Sequence, residues 1–305
     1  ATNETRGTLL SVYMVVLLSG LAASQFLLNL ADPNSFVLFV LASVLVSMAL
    51  VPISVSVAPT PDFTAPEPVG LRALYRTSPL GFVGAMGTGM ANAALYAMAA
   101  VYGGAVGLSV PQIAVFVSAN ILGGLAFQWP IGRLSDKLDR RRVLTAVTFA
   151  AALAALAAGL AARAEPLALY AMMFLLGGMS LPMYSLCIAH TNDYLTPKQM
   201  VAASGTLMMV GGAGAIFGPI GVSLLMAQVG PDGFFICIGA VHAAIGVFAL
   251  YRMVRRAPLP LEEQGASVPV SSTVSAPTAT LPVDAIRDQM DRDLAAMAGG
   301  PLRRR

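Results

Sequence analysis

The stretch GRLSDKLDRRRVL, from Gly132 to Leu144, gathers more charge than any part of the apolar sequence around it. It places five cationic residues and two aspartates in thirteen positions. Such a cluster can form ion pairs, and a carboxylate in it can accept hydrogen bonds from the unpaired N–H groups at a helix N-terminus. Anchoring a loop in water would explain the positive charge but not the order of the residues.

A second polar stretch, AHTNDYLTPKQMVAASG, brings His190, Asn192 and Asp193 close together. These residue types could hold a metal ion or form a catalytic site. However, they fall at a predicted helix end, where polar residues turn the chain and Thr196 with Pro197 can start the next helix. We interpret Asp193 as an ionic partner of the arginine-rich loop, and we expect no metal, cofactor or catalytic residue.

Two asparagines interrupt long apolar runs. Asn92 and Asn120 each lie near the middle of a run, and Tyr96 is one helical turn beyond Asn92 on the same face. Burying such groups in lipid is costly without a partner or water. They therefore predict either a cavity that binds a neutral or weakly polar substrate or hydrogen bonds between helices. Weaker candidates are Gln25, Tyr184 and His242, and His242 is interpreted as a packing residue although a histidine can carry a proton.

Composition places these side chains in a membrane protein. The chain is 57% hydrophobic and 11% charged, with a mean hydropathy of +0.75, whereas soluble domains are about 45–50% apolar and about 25% charged. A bilayer core roughly 30 Å thick requires about 20 apolar residues per helix. The net charge of +3 is too small to indicate a nucleic-acid partner.

Eight apolar runs predict an all-α, polytopic integral membrane protein, because backbone groups in lipid must be paired within their own segment. The runs cover residues 8 to 29, 35 to 57, 79 to 102, 110 to 131, 143 to 162, 166 to 189, 200 to 227 and 233 to 254. The central parts of these runs hold no Asp, Glu, Lys or Arg. Such residues usually carry coupled protons in membranes, so a coupling carboxylate would have to belong to another part of the protein.

The distribution of arginine and lysine predicts the orientation. One set of alternating loops carries twelve of these residues and the other set carries only Arg163, and cationic loops stay in the cytoplasm. Both ends of this chain are therefore expected on the cytoplasmic side. The twelve are Arg6, Arg72, Arg76, Arg133, Lys137, Arg140, Arg141, Arg142, Lys198, Arg252, Arg255 and Arg256.

An internal repeat relates the first two runs to the last two. A shift of 198 residues aligns them without a gap, and glycine, threonine and proline positions match in register. Transporters are often built from repeated halves. Runs three to six would then need four earlier partners, so the sequence resembles the last two thirds of a twelve-helix protein. The matches pair Gly7, Thr8, Leu9, Val12, Gly20, Leu27, Pro33 and Phe36 with Gly205, Thr206, Leu207, Val210, Gly218, Leu225, Pro231 and Phe234.

The charged loop resembles the cytoplasmic loop motif of the major facilitator superfamily, G-x-L-x-D-[RK]-x-G-[RK]-[RK]-x-x-[LI]. Asp139 departs from it, since the family commonly has glycine there. The segments FQWPIGRLSD and GAGAIFGPIG also agree with the family, and the resemblance covers about residues 1 to 256. The matching positions are Gly132, Leu134, Asp136, Lys137, Arg140, Arg141 and Leu144.

The resemblance implies a gate. In the family pattern, the carboxylate equivalent to Asp136 caps the N-terminus of a helix from the other half, which here would be the first run, near residues 6 to 8. Its own helix dipole disfavours Asp136 at a C-terminus, so the carboxylate needs a partner elsewhere. The contact with the first run can exist only when the two halves meet on the cytoplasmic side. It would therefore stabilise an outward-open state and break on inward opening. The expected gate comprises Gly132, Arg133, Asp136, Lys137, Arg140, Arg141 and Asp193, in which Arg133, Arg140 and Arg141 hold the loop and pair with acids such as Asp193.

Glycines in the seventh run predict close helix packing. Gly214 and Gly218 have GxxxG spacing, which lets backbones approach in lipid. Pro219 removes a backbone hydrogen bond and can bend the helix. This segment is therefore a candidate hinge, with a static kink as the alternative.

The expected organisation has four parts. Residues 1–56 form the last two helices of an N-terminal half, 57–77 a central cytoplasmic loop, and 78–256 a six-helix C-terminal half. Residues 257–305 are expected to be a disordered cytoplasmic tail with a short amphipathic helix and three final arginines, which could rest on anionic lipid. A mobile tail without membrane contact is the alternative.

Together these features predict a transporter in the bacterial inner membrane. It would move a small solute by alternating access, as a uniporter or with proton coupling. A non-transporting membrane scaffold or sensor is the first alternative. A membrane-embedded enzyme is the second and less favoured, because no acid, base or nucleophile constellation is visible within the runs.

Overall fold

A computed structural model describes residues 3–32, 35–55, 68–162, 165–255 and 264 of the chain. The side chains of residues 3–12, 53, 197 and 198 are not part of that description. Within the described ranges all regular structure is helical. The predicted disordered tail, its amphipathic helix and its lipid contact lie outside the described residues.

The helices follow one another with short connections. They are α1 (Asn3–Ser24), continued by a 3₁₀ turn (Gln25–Asn29), α2 (Val37–Val55), α3 (Leu71–Thr77), α4 (Pro79–Ala105), α5 (Val110–Lys137), α6 (Arg140–Ala161), α7 (Pro166–Ser180), α8 (Met183–Asn192), α9 (Pro197–Val229) and α10 (Gly233–Arg255).

The eight predicted runs are helical where the structure describes them, with two differences. The short helix α3 lies in the segment predicted as a loop, and it forms because Leu74 is fully buried against the bundle. The sixth run is interrupted between α7 and α8 at Leu181 and Pro182. Proline has no N–H to continue the helical ladder, so the helix restarts after it.

Five of the described helical segments are long and apolar enough to cross a membrane. They are Val110–Lys137, Arg140–Ala161, Pro166–Asn192, Gln199–Val229 and Gly233–Arg255, where the third combines α7 and α8. The first two runs contribute shorter apolar segments, Tyr13–Asn29 and Val37–Pro52. Helix α4 is long enough to span, at 27 residues, but its glycines, Thr88 and Asn92 make it less apolar.

An aromatic cluster fixes the end of the bundle where α4 ends and α5 and α10 begin. The ring of Tyr102 lies 4.9 Å from that of Phe234 and 5.6 Å from that of Phe116, centroid to centroid. All three side chains are buried. Offset aromatic stacking of this kind adds to the free energy of burial, so the cluster holds three helices at one end. We call it the aromatic end.

Glycines allow α9 to approach α4 very closely. A Cβ on Gly214 would overlap the carbonyl oxygen of Met86, and one on Gly218 would overlap that of Met90. Larger residues could not occupy these positions without separating the helices. The same device brings α5 against α7, where a Cβ on Gly177 would overlap the carbonyl oxygen of Asn120. Contact between backbones replaces side-chain packing at both crossings, as is common in membranes.

Helix α1 joins the bundle along α5. Met14, Leu18 and Ala22 are buried in the same apolar cluster as α4, α5 and α10. The Ser118 hydroxyl of α5 donates a hydrogen bond of 2.9 Å to the Ala22 carbonyl oxygen. In contrast, α2 is largely exposed, with Phe39 at 74% exposure.

Candidate gate and polar core

The loop between α5 and α6 is closed by Asp139. Its carboxylate accepts a hydrogen bond of 3.0 Å from the Arg141 backbone N–H and pairs at 2.8 Å with the Arg141 guanidinium. Burial alone would raise the pKa of the Asp139 carboxyl, but hydrogen bonds from the Arg141 side chain and backbone hold that pKa below its ordinary value. An N-cap carboxylate therefore starts α6 at the position where the family commonly has glycine.

Arg140 connects three helix ends. Its side chain is 2% exposed, and its Nη2 lies 3.4 Å from the Asp136 carboxylate at the end of α5. Its Nε lies 3.0 Å from the Asp193 carboxylate just after α8, a contact close in distance but without hydrogen-bond geometry. We call this end of the bundle, defined by Asp136, Asp139, Arg140, Arg141 and Asp193, the charged end. Because a buried guanidinium without a carboxylate is very costly, the pairs hold the three helix ends in one arrangement.

The other predicted gate residues are on the surface of the charged end. Arg133 is exposed and its guanidinium lies 4.9 Å above the ring of Trp129. Lys137 is exposed and Gly132 is half-buried. The structure therefore brings Asp193 to Arg140, whereas Arg133 contacts an aromatic ring and Arg141 contacts its neighbour Asp139.

The predicted contact between Asp136 and the start of α1 remains a prediction. The Asp136 side chain is 36% exposed and faces Arg140. The side chains of residues 6 to 8 are outside the described part of the chain. The structure thus defines one side of the proposed latch, within α5, α6 and α8.

A buried polar chain crosses the middle of the bundle. The Ser180 hydroxyl donates to the Asn92 side-chain oxygen at 3.0 Å, and the other face of the same hydroxyl lies 3.0 Å from Nε2 of His242. His242 also contacts the Ile238 carbonyl oxygen at 2.8 Å through Nδ1. Asn92 is thus brought to α7 and α10, and its side chain is only 3% exposed.

Ser180, which ends α7 at the mid-span interruption, was not among the predicted site residues. The sequence signal for this site was Pro182. A proline inside an apolar run leaves a backbone carbonyl without its helical hydrogen bond and indicates a break in the helix. On the other side of the break, the Ser185 hydroxyl accepts a 2.9 Å hydrogen bond from the Gln128 side chain of α5. Polar side chains therefore gather on both sides of the interruption.

Of the two remaining predicted substrate residues, Asn120 lies close to this break. Asn120 of α5 is 3% exposed, packs against Gly177 of α7, and its side-chain nitrogen has no hydrogen-bond partner among the described residues. Tyr96 is half-buried and packs against the large apolar cluster. The structure thus places Asn92 and Asn120 on two sides of α7.

The predicted hinge in α9 lies inside a continuous helix from Pro197 to Val229. Gly214 and Gly218 serve the close approach to α4 described above, and Pro219 follows directly after this contact. The hinge therefore remains a prediction, with the packing role of the two glycines now visible.

Apolar helices around a buried polar centre, with the described charged side chains at helix ends, define a polytopic α-helical membrane protein. The comparison with protein families makes this specific. The model of the Major Facilitator Superfamily matches residues 77–289, and this chain belongs to that family. It is therefore a membrane protein of a transporter family, as the resemblance of its charged loop predicted.

Curated relatives agree with this assignment. A protein of Escherichia fergusonii described as "Uncharacterized MFS-type transporter YcaD" is 24% identical over 262 residues, which are 85% of this chain and 67% of the relative. Its counterpart in Escherichia coli O139:H28 is 27% identical over 266 residues, with the same coverage. An "Uncharacterized MFS-type transporter" of Yersinia pestis is 26% identical over 84% of this chain and 65% of its own length. No solved structure matches the chain.

Proposed function

We propose that this chain moves a small solute across the bacterial inner membrane by alternating access. The observation that carries the proposal is the interruption between α7 and α8, with Asn92, Asn120 and Ser180 buried around it. Transporters place substrate sites near the membrane midplane, often at broken helices. Membership of a transporter family supports the same conclusion, as does the description of its relatives as MFS-type transporters.

The chemistry of this centre favours a neutral or weakly polar solute. Asparagine and serine side chains offer donors and acceptors without charge, and the side-chain nitrogen of Asn120 has no partner among the described residues. A buried donor without a partner costs about 1–3 kcal/mol. A substrate oxygen that accepted its hydrogen bond would recover part of this free energy, so Asn120 is the proposed substrate contact with the clearest signal.

The charged end is the proposed cytoplasmic gate. Its cationic loop favours the cytoplasmic side, and both ends of the chain then face the cytoplasm. Asp136 lies 3.4 Å from Arg140, and the start of α1 is the proposed second partner of its carboxylate. That contact would close the cytoplasmic side and would break when the transporter opens inward.

A non-transporting membrane scaffold or sensor is the second candidate. The observation that favours it is the exposure of α2, whose apolar residues contact little of the described bundle. Helices that do not enclose a cavity would move no solute.

Solute uptake into proteoliposomes tests the proposal. Purified chain is reconstituted and offered a panel of labelled neutral solutes, with empty liposomes as the blank. Uptake of at least one solute is expected, and Asn120→Ala should reduce it while the exposed Asn29→Ala should not. Uptake no faster than in empty liposomes, or unaffected by Asn120→Ala, would favour the scaffold.

A further inference from the structure

Three side chains from three helices form a continuous hydrogen-bond chain in the middle of the bundle. His242 of α10 contacts Ser180 of α7, which contacts Asn92 of α4, and both distances are 3.0 Å. His242 and Ser180 are fully buried and Asn92 is 3% exposed. These hydrogen bonds therefore connect three packed helices through side chains that can both donate and accept.

The number of hydrogens available limits His242 to two arrangements of its hydrogen bonds. The Ile238 carbonyl oxygen can only accept, so Nδ1 of His242 must donate the 2.8 Å hydrogen bond. A neutral imidazole would then have a lone pair on Nε2, which needs a donor. In the first arrangement, the Ser180 hydroxyl donates its single hydrogen to the Asn92 oxygen at 3.0 Å. Nε2 then donates to Ser180, and His242 in this arrangement is a protonated imidazole.

A neutral His242 fits the same heavy-atom positions if the donor and acceptor roles along the hydrogen-bond chain are reversed. The Ser180 hydroxyl would rotate to donate to Nε2, and the Asn92 amide would turn so that its NH₂ group donates to Ser180. The two arrangements share their heavy-atom positions, because the oxygen and nitrogen of an amide occupy equivalent places and a hydroxyl hydrogen can rotate. The chain can thus hold His242 in either protonation state, and each state gives Asn92 a different orientation.

The helices around His242 carry neutral titratable side chains in their central parts. Helix α10 packs against α4, α6 and α9, and α7 and α8 adjoin the polar chain. The titratable groups in the middle of these elements are neutral hydroxyls and thiols, on Tyr96, Tyr184, Cys187 and Cys237.

The charged groups of the same elements lie at helix ends. No Asp or Glu stands in the central part of any of them to fix a charge on His242. Burial without a carboxylate makes the imidazolium costly, so its proton is held by hydrogen bonds alone. The charged residues of these elements are Arg140, Arg141 and Arg142 on α6, Arg252 and Arg255 on α10, and, by sequence, Lys198 on α9.

We propose that His242 is a proton-binding site whose protonation state is relayed by Ser180 to the Asn92 amide. With His242 protonated, the Asn92 oxygen is occupied by Ser180 and its NH₂ group faces the other way. With His242 neutral, the NH₂ group is occupied and the oxygen is turned outward. A proton taken up from water therefore changes Asn92 from a donor to its surroundings into an acceptor, and no covalent bond other than the Nε2–H bond forms or breaks.

This inference rests on the proposed function for its consequence. If Asn92 contacts the solute, the proton on His242 selects which solute groups it can bind, so the solute and the proton bind at coupled sites. The coupling ion would then be a proton, carried by a histidine rather than a carboxylate.

Nuclear magnetic resonance of the whole chain in lipid nanodiscs tests the relay without any transport assay. The chain has two histidines, His190 and His242, so ¹⁵N-histidine labelling gives two sets of ring signals, assigned with His190→Asn. Between about pH 4 and about pH 9, a range that brackets histidine titration, Nε2 of His242 should gain or lose a proton while Nδ1 stays protonated. The Asn92 side-chain amide, assigned with Asn92→Ala, should shift with the same midpoint.

Ser180→Ala separates a relay from two independent changes. In this variant the Asn92 amide should no longer follow pH, whereas His242 should still titrate. Ser185→Ala is the matched control, since it removes a hydroxyl on the other side of the helix break, and it should leave both responses intact. A His242 ring that keeps one protonation state throughout the range, or an Asn92 response that survives Ser180→Ala, would overturn the proposal.

The outcomes are independent of the proposed transport. If the nuclear magnetic resonance responses appear and no solute is taken up by proteoliposomes, the proton site stands and the transport proposal fails. If uptake is observed and His242 does not titrate, transport stands and the proton site is wrong.

Discussion

At the charged end of the bundle, one buried guanidinium is held between two carboxylates, whereas in the middle of the bundle a buried histidine contacts a serine hydroxyl and a backbone carbonyl oxygen. Arg140 lies 3.4 Å from Asp136 and 3.0 Å from Asp193. Ser180 connects His242 to Asn92 through contacts of 3.0 Å on each side. Both sets of side chains are largely buried, but only the first has paired formal charges.

The difference follows from where water can reach. Fixed charges have a smaller desolvation cost near a helix end, where 36% of the Asp136 side chain is exposed. There they hold helix ends together. In the middle of the span a permanent charge would be costly, so reversible hydrogen bonds take its place. The charged end is thus suited to holding a conformation, and the polar chain to changing its state.

Removing the guanidinium should have the largest effect. Arg140→Ala leaves the Asp193 carboxylate, 4% exposed, buried without this partner. Breaking a buried ion pair from one side costs about 3–5 kcal/mol, so we expect a strongly lowered thermal unfolding temperature in detergent. Arg142→Ala, in which an exposed arginine of the same helix is removed, should change it little.

A second substitution sharpens this test. Arg140→Met combined with Asp193→Asn removes both buried charges and should recover much of the stability lost in Arg140→Ala, because neutral groups need no ionic partner. If Arg140→Ala were no less stable than Arg142→Ala, the three helix ends would not depend on this guanidinium.

His242→Gln should have a smaller effect on stability and a specific effect on pH dependence. Glutamine can still hydrogen-bond to Ser180 but cannot titrate, so the cost should be about 1–3 kcal/mol for imperfectly satisfied buried groups. Proteoliposome uptake of a transported solute should lose its dependence on pH between about pH 5 and about pH 8. The matched variant His190→Asn at the charged end should retain that dependence, and a pH profile unchanged in His242→Gln would argue for a packing role.

Asp139→Ala should have the smallest effect, since it removes one N-cap worth about 1 kcal/mol. The folded state holds the pKa of Asp139 below its ordinary value, so the carboxylate contributes stability above its unfolded pKa and loses it as pH falls through the folded one. The difference in unfolding temperature from wild type should therefore be constant near neutral pH and shrink below about pH 4. The exposed Lys137→Ala is the control, and a difference that grew in acid would contradict the assignment.

The helical spans and the charged loop could be predicted because each is a local property of the sequence. Length and hydropathy identified the apolar runs, and the order of residues around Asp136 and Arg140 identified the family. The pairing of Asp193 with Arg140 could be predicted because both residues fall at helix ends on one side of the predicted topology.

The details of the polar core could not be predicted, because they depend on the rotation of helices about their axes. Nothing in the sequence places Ser180 between Asn92 and His242, which lie 88 and 62 residues from it. His242 was interpreted as a packing residue for the same reason. Asp139 was noted as a departure from the family pattern, but its role as the N-cap of α6 was missed because the motif has no carboxylate at that position.

Alternating access at the charged end is the central claim, and labelling of a buried thiol there tests it most directly. Ser135 of α5 is fully buried beside Asp136, so Ser135→Cys, with Cys187 and Cys237 replaced by alanine, reports opening by its rate of reaction with a maleimide in membrane vesicles. Asp136→Asn should raise this rate about fivefold, since losing a carboxylate at a helix N-terminus costs about 1 kcal/mol, and Asp232→Asn near the aromatic end should not. An equal rate with Asp136 and with Asn at that position would contradict the gate.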